Sequence, residues 1–231
     1  MTEATLVLVC KRPAPGIGKQ RLATKLGHEL AFKIAQALLA CALEDACSWP
    51  GPVVVSPAST DDIDWAKRLI DPAPLHSPLM IVPQTGGNLG QRLNALDRTL
   101  RAQGKKQLVF IGSDAPGLNA SDYEAALSGL QRADVVLIPA SDGGVALMAN
   151  RCTWPELFAL PWSGDQLGNS LINACESAGQ SVSTAGHGYD VDEVEDLLLL
   201  IAALQHDLRP ARRALLALVT SNLPAIKEAH A

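Results

Sequence analysis

Short apolar runs alternate with longer stretches of helical spacing along most of this chain, and that alternation predicts its architecture. Residues 5–10, 52–56, 79–83, 107–111, 134–139 and 145–149 read as strands, apolar runs punctuated by Gly, Pro, Asn, Asp or Ser. Between them, residues 29–47, 61–70, 89–103 and 121–131 carry apolar side chains at helical spacing. Ser59-Thr60 is the expected cap of the second of these, and Ser121 with Glu124 three residues on is that of the fourth. Buried strands separated by helices predict a largely parallel sheet with helices on both faces. The turn at Asp142-Gly143-Gly144 is too short for a helical crossover, so an antiparallel element is expected there. The last third reads as helices at 167–178, 193–205 and 212–219, with a short strand at 180–184. The Pro-rich stretch 71–78 reads as a loop, since the strand–helix rhythm continues across it. No repeat or low-complexity tract interrupts the pattern. A single α/β domain over residues 1–231 with a helical C-terminal part is the expectation.

Composition narrows the function classes. A net charge of −5 argues against a nucleic-acid partner, which would need a basic balance or stripe. No apolar run reaches membrane-spanning length, and no basic-then-apolar segment opens the chain, so neither a membrane partner nor secretion is expected. The five cysteines, Cys10, Cys41, Cys47, Cys152 and Cys175, are odd in number and form no C-x-x-C pair. That fits reduced thiols in a cytoplasmic protein. A homodimer is left open.

The chemistry-bearing residues cluster just after the strands, where open α/β sheets bind their ligands. In Gly112-Ser113-Asp114-Ala115-Pro116, glycine and proline set a turn that presents Asp114 at the mouth of the sheet. Asp114 there either holds a divalent metal beside a nucleotide's phosphates or satisfies backbone N–H groups of the turn. Residues 11–22 set four cations among two prolines and two glycines, a loop suited to a polyphosphate. Lys19 and Arg21 are its stronger candidates, with Lys11 and the backbone at Gly16 and Gly18 assisting; Pro13, Gln20 and Arg21 break the P-loop and dinucleotide patterns. Residues 84–92 run from a strand into a helix. There Gln84, Gly87, Asn88 and Gly90 offer a cap and a helix N-terminus to an anion, a base or a sugar, or serve as a turn alone. Asp142 is either an acid that orients a sugar hydroxyl, accepts a proton or supports the metal, or part of a tight Asp-Gly hairpin. In residues 189–197, Asp192 with Glu195 forms a capping-box pattern, yet Asp114 and Asp192 make a natural pair of metal ligands if the chain folds across the crevice.

With these clusters in order, the chain resembles the bacterial glycosyltransferase-A-like family long catalogued as a domain of unknown function, within the nucleotide-diphospho-sugar transferase superfamily. The family's K-x-P-x-P-G-x-x-K-T-R-L, Q-x-G-x-D-L-G-x-R, G-S-D-C-P-x-L, D-G-G-Y and D-V-D-T-x-x-D-L fall at residues 11–22, 84–92, 112–118, 142–145 and 190–197. Gln20, Asn88, Ala115 and Val145 depart from the Thr, Asp, Cys and Tyr of those motifs. The resemblance implies a Rossmann-like sheet, a nucleotide or nucleotide-sugar substrate, and Mg²⁺ or Mn²⁺ near Asp114, with Asp192 matching the late metal ligand of sugar nucleotidyltransferases. Some members are labelled arsenosugar-biosynthesis glycosyltransferases, and the basic loop is similar to a segment of phospholactate guanylyltransferases. Three expectations follow. The first is glycosyl transfer from a nucleotide sugar to a small acceptor, with Asp142, Lys19 and Arg21 carrying the chemistry. The second is nucleotidyl transfer with release of pyrophosphate, and the third a non-catalytic nucleotide-binding module.

Overall fold

The first apolar run becomes β1 (Thr5–Cys10), the strand from which the sheet grows in both directions, in a computed structural model that describes residues 3–70, 79–162 and 164–230. On one side lie β2 (Val53–Pro57) and β3 (Leu79–Ile81); on the other lie β4 (Leu108–Ile111), β6 (Val145–Asn150), β5 (Val135–Pro139) and β7 (Val182–Thr184). The order is thus 3-2-1-4-6-5-7, with β6 antiparallel to both neighbours and the other pairings parallel. The expected antiparallel element is β6. The stretch 71–78, expected to be a loop, lies outside the described residues.

Strand alternation divides the core into two. Leu6, Leu8 and Cys10 of β1 point into a core shared with Val53, Val55, Val109 and Ile111, while Val7 points into the opposite one with Val54, Leu108 and Phe110. Helices α2 (His28–Ser48) and α5 (Ala120–Gly129) cover the first face; α4 (Leu89–Ala102) and α6 (Leu167–Ser177) cover the second. A third apolar cluster lies outside the sheet. It joins α1 (Gln20–Leu26) to α7 (Val194–Leu204), α8 (Pro210–Ser221) and α9 (Leu223–His230) through the outer side of α2. Helix α2 is therefore buried on two sides, by Leu39, Ala42 and Ala46 towards the sheet and by Ile34, Leu38 and Cys41 away from it. Among the described residues, no helix is long and apolar enough to cross a membrane.

Three local expectations need correction. The helix expected at 61–70 is a 3-10 turn at Thr60–Asp62 followed by the short α3 (Ile63–Ala66), although Ser59 caps it as expected by accepting from the Asp61 N–H. Helix α5 is capped by Asn119, not Ser121: the Asn119 side chain accepts from the Ser121 N–H, and Asp122 returns a bond to the Asn119 N–H. Glu193 rather than Asp192 caps α7, because Asp196 accepts from the N–H groups of both Asp192 and Glu193. That shift of one residue matters, since it leaves the Asp192 carboxylate free of the helix.

Candidate functional site

Because β1, β2 and β3 run outward from the centre and β4 restarts on the other side of β1, the chain reverses its order between β1 and β4. The loops leaving the carboxyl ends of those two strands diverge there, opening the crevice in which such sheets bind ligands. A cavity of about 800 Å³ occupies this place.

Lys19 spans its floor. Among the described residues it is the one non-glycine with a left-handed backbone (φ 46°), just ahead of α1. That conformation costs an L-residue about 1–2 kcal/mol and is held where the surroundings over-determine it. The surroundings here are acids. The Lys19 Nζ lies 2.7 Å from Asp192 Oδ1 and 2.9 Å from Asp114 Oδ2, and donates to the carbonyl of Val191. Its side chain is 7% exposed, and the two carboxylates are roughly half exposed. Burial, the largest single influence, pulls the ammonium down, but Asp114 and Asp192 together outweigh it and hold the group above its ordinary value. A backbone bond from the Val191 N–H to the Asp114 carbonyl ties the two acid-bearing segments together. Asp114 also accepts from the Ser113 hydroxyl.

Asp190 and Asp142 complete the acidic side. The Asp190 carboxyl is pushed up to about 7, first by burial and then by the charges of Asp114 and Asp142, with Lys19 opposing and Asp192 adding. Asp142 sits in the β5–β6 turn, where its Oδ1 accepts from the Gly144 N–H at 2.9 Å. Gly143 (φ 84°) in that turn packs so close to the Asp165 carbonyl that a Cβ would lie 1.8 Å from it. The tight hairpin and the site acid are thus the same turn.

The cavity gathers Lys11, Lys19, Arg21, Gln84, Asp114, Asp142 and Asp192 of the expected residues, but Gly16, Gly18, Gly87, Asn88 and Gly90 do not line it. The second glycine cluster has a structural task instead. Asn88 caps α4 in a capping box with Gln91, and its amide donates to the Phe158 carbonyl at 2.7 Å, which an aspartate could not do. A Cβ on Gly90 would lie 2.1 Å from the Leu157 carbonyl oxygen, so the close approach it permits is to the 152–162 loop. Gln84 is buried, donating to the Ser56 carbonyl at 2.8 Å and joining the ends of β1 and β2. Arg21 pairs with Glu193 at 3.1 Å.

Sequence reasoning did not single out Asp190, Arg92 or Asp165, all of which line the cavity. For Asp190 a signal was present. In Tyr189-Asp190-Val191-Asp192 the apolar members pack with the C-terminal helices, which turns Asp190 to the same side as Asp192. The donor set is hard oxygen, suited to Mg²⁺ or Mn²⁺, and Asp114 and Asp192 already converge on one cationic atom. Among the described residues no group of three or more His, Cys, Asp or Glu is arranged to hold a metal by itself. Two carboxylates completed by phosphate oxygens are the usual Mg²⁺ set, so the residues fit such an ion together with a nucleotide.

A family model described as "Uncharacterized protein conserved in bacteria (DUF2064)" matches residues 39–164. Among curated proteins none matches the chain. Of the solved structures, a candidate nucleotide-diphospho-sugar transferase from Desulfovibrio desulfuricans G20 superposes with a TM-score of 0.84 at 23% identity, covering 99% of each chain. A 4-diphosphocytidyl-2C-methyl-D-erythritol synthase from Anaerococcus prevotii does so at 0.54 and 12%, over 88% of this chain and 97% of the other. CMP:2-keto-3-deoxy-manno-octonic acid synthetase, complexed with CTP, does so at 0.53 and 12%, over 90% of this chain and 100% of the other. The shared feature is the fold.

Proposed function

The chain belongs to the DUF2064 family of bacterial proteins, and from that membership, the fold and the floor of the cavity we propose that it is a metal-dependent transferase, moving a glycosyl group from a nucleotide-sugar donor to a small acceptor. The observation that carries this reading is the Lys19 ammonium held between Asp114 and Asp192 across the β1–β4 crevice. It makes a compact arrangement of opposite charges at the place where the fold binds ligands.

Asp114 and Asp192 would hold the Mg²⁺ or Mn²⁺, which supplies positive charge to the departing diphosphate when bound. Lys19, given up by the carboxylates, then turns its ammonium to the phosphate oxygens, and Lys11 and Arg21 add charge from the same side. Asp142 has one oxygen fixed by the Gly144 N–H, so the other is left to orient the acceptor hydroxyl and take its proton. Nucleotidyl transfer from a nucleoside triphosphate is the second reading. Lys11, Lys19 and Arg21 all line the cavity, a cationic set that also suits a triphosphate, and this supports it.

Incubation with Mg²⁺, nucleoside triphosphates, nucleotide sugars and acceptors separates the two by product. Acceptor-dependent release of nucleoside diphosphate is the expected outcome, and release of pyrophosphate would replace the first reading by the second. Binding without turnover of either kind would leave a nucleotide-binding module. Asp114→Asn should abolish metal-dependent nucleotide affinity in calorimetry, and unchanged affinity would remove the metal from the mechanism.

A further inference from the structure

The cavity has two unlike walls, and the charged floor explains one of them. Around the β1–β4 crevice lie Lys19, Asp114, Asp142, Asp190 and Asp192; on the β2 side lie Ala58 and the amide of Gln84. On the β6 side the lining changes character. Phe110 of β4 and Met148 of β6 are direct cross-strand partners, and both face the core under α4. Val9 of β1 and Val145 of β6 pack against that same core, as do Leu93 of α4 and Trp162. All six line the cavity.

The one polar atom among these side chains is already committed: Trp162 Nε1 donates to the Leu157 carbonyl at 2.9 Å. Arg92 on α4 also lines the cavity, and its Nε donates to the Gly87 carbonyl at 2.8 Å. These six side chains therefore offer van der Waals contact and an aromatic surface, with Arg92 and Asp165 lining the same cavity beside them. Hydroxyls set directly against the six apolar side chains would lose water without gaining a partner from them.

We propose that this wall is the subsite for an acceptor with an apolar body, an alkyl or aromatic alcohol or its phosphate, whose reacting end meets the charged floor. The assignment deepens the transferase reading and rests on it for the placing of the phosphates at Lys19. It narrows the substrate class: the second substrate is amphiphilic, with an apolar body. Specificity then comes from the fit of the apolar body, and orientation from the charged end.

The probe is a chain-length series. Inorganic phosphate and the n-alkyl phosphates, together with the corresponding n-alkanols, are titrated against the full chain in Mg²⁺ by calorimetry. Affinity should tighten with each added carbon, approaching the roughly fourfold per methylene that complete burial gives, until the wall is covered. Val145→Thr and Val9→Thr, which keep side-chain shape and strand propensity, should each flatten the slope while leaving the affinity for inorganic phosphate in place. A flat series, or a slope that both variants leave unchanged, overturns the proposal. Loss of nucleotide affinity in the threonine variants alongside a flat series would give the wall to the base and also overturn it. The alkanols carry no anion and read the wall alone. A slope in alkanols with no phosphate or nucleotide binding keeps the wall and sinks the transferase reading instead.

Discussion

Replacing Lys19 by methionine should make the protein bind a bare divalent cation more tightly while binding nucleotide less tightly. The structure sets the size of the effect. The ammonium makes two charge-assisted contacts, at 2.7 Å to Asp192 and 2.9 Å to Asp114, and an incoming ion must displace both. Charged hydrogen bonds contribute roughly 1.5–3 kcal/mol each when removed from water. Here the two carboxylate side chains are 42% and 51% exposed, so solvent screens much of that. A displacement cost of about 1–2 kcal/mol is the reasonable sum, which predicts a fivefold to thirtyfold gain in bare-ion affinity for Lys19→Met. Nucleotide affinity in Mg²⁺ should move the other way, because the cation that would meet the phosphates is gone. Mn²⁺ titration followed by electron paramagnetic resonance gives the first number, and calorimetry with nucleotide the second. Lys19→Gly is the companion variant. It loses the same ammonium but relieves the left-handed backbone, so it should be about 1 kcal/mol more stable than Lys19→Met. Bare-ion affinity that is unchanged or weaker in Lys19→Met would refute the idea that lysine and metal compete for one place.

Gly90→Ala should destabilise by about 1–3 kcal/mol, read as a fall of some degrees in melting temperature, because its Cβ would lie 2.1 Å from the Leu157 carbonyl and force α4 from the loop beneath it. Arg212→Met should cost about 3–5 kcal/mol in denaturant unfolding, since this fully buried guanidinium neutralises Asp45 and Glu44 and donates to the carbonyls of Pro116 and Leu118 behind the Asp114 turn. Acid should reveal Asp134. The Ser181 hydroxyl first, then the Ser181 N–H and Arg151, hold its carboxyl down to about 2. Its folded value is below its unfolded one, so its contribution is present above about pH 4 and disappears as the pH falls towards 2. The stability gap between wild type and Asp134→Asn should close over that window, and a gap independent of pH would contradict it.

How far the sequence carried the fold can be judged element by element. The strands were legible because most are short apolar runs at the centre of a sheet, where both faces are buried and the signal is composition alone. Strand order was not legible, since nothing in a run such as Leu108–Ile111 states which neighbour it will pair with. The first turns of α1 were hidden inside a basic loop. Its start at Gln20 has no side-chain cap to announce it, and Lys19 bends the chain with a conformation that sequence assigns to glycine. Caps were misplaced by one or two residues at α5 and α7, where several Asx and Glx side chains stand in a row and only geometry decides which reaches an N–H. At the site, the convergence of Asp114 and Asp192 could be imagined but not measured. What lay beyond reach was Lys19 as the counter-ion of both, because the contact spans 173 residues of chain. Gly87, Asn88 and Gly90 suited either a ligand or a turn on paper; in the fold their contacts are with α4 and the loop that follows β6.

The reversed direction of β6 has a consequence for how this protein could change. In an all-parallel sheet every connection at the carboxyl edge leads into a crossover, and such loops lengthen freely. Here β5 hands over to β6 within five residues, at that same edge, and the turn is wedged against Asp165. Asp142 therefore stands on the least extensible link around the cavity. Changes in the cavity's shape would come more readily from other parts of its rim, such as the 152–162 loop that carries Trp162, while this corner stays fixed.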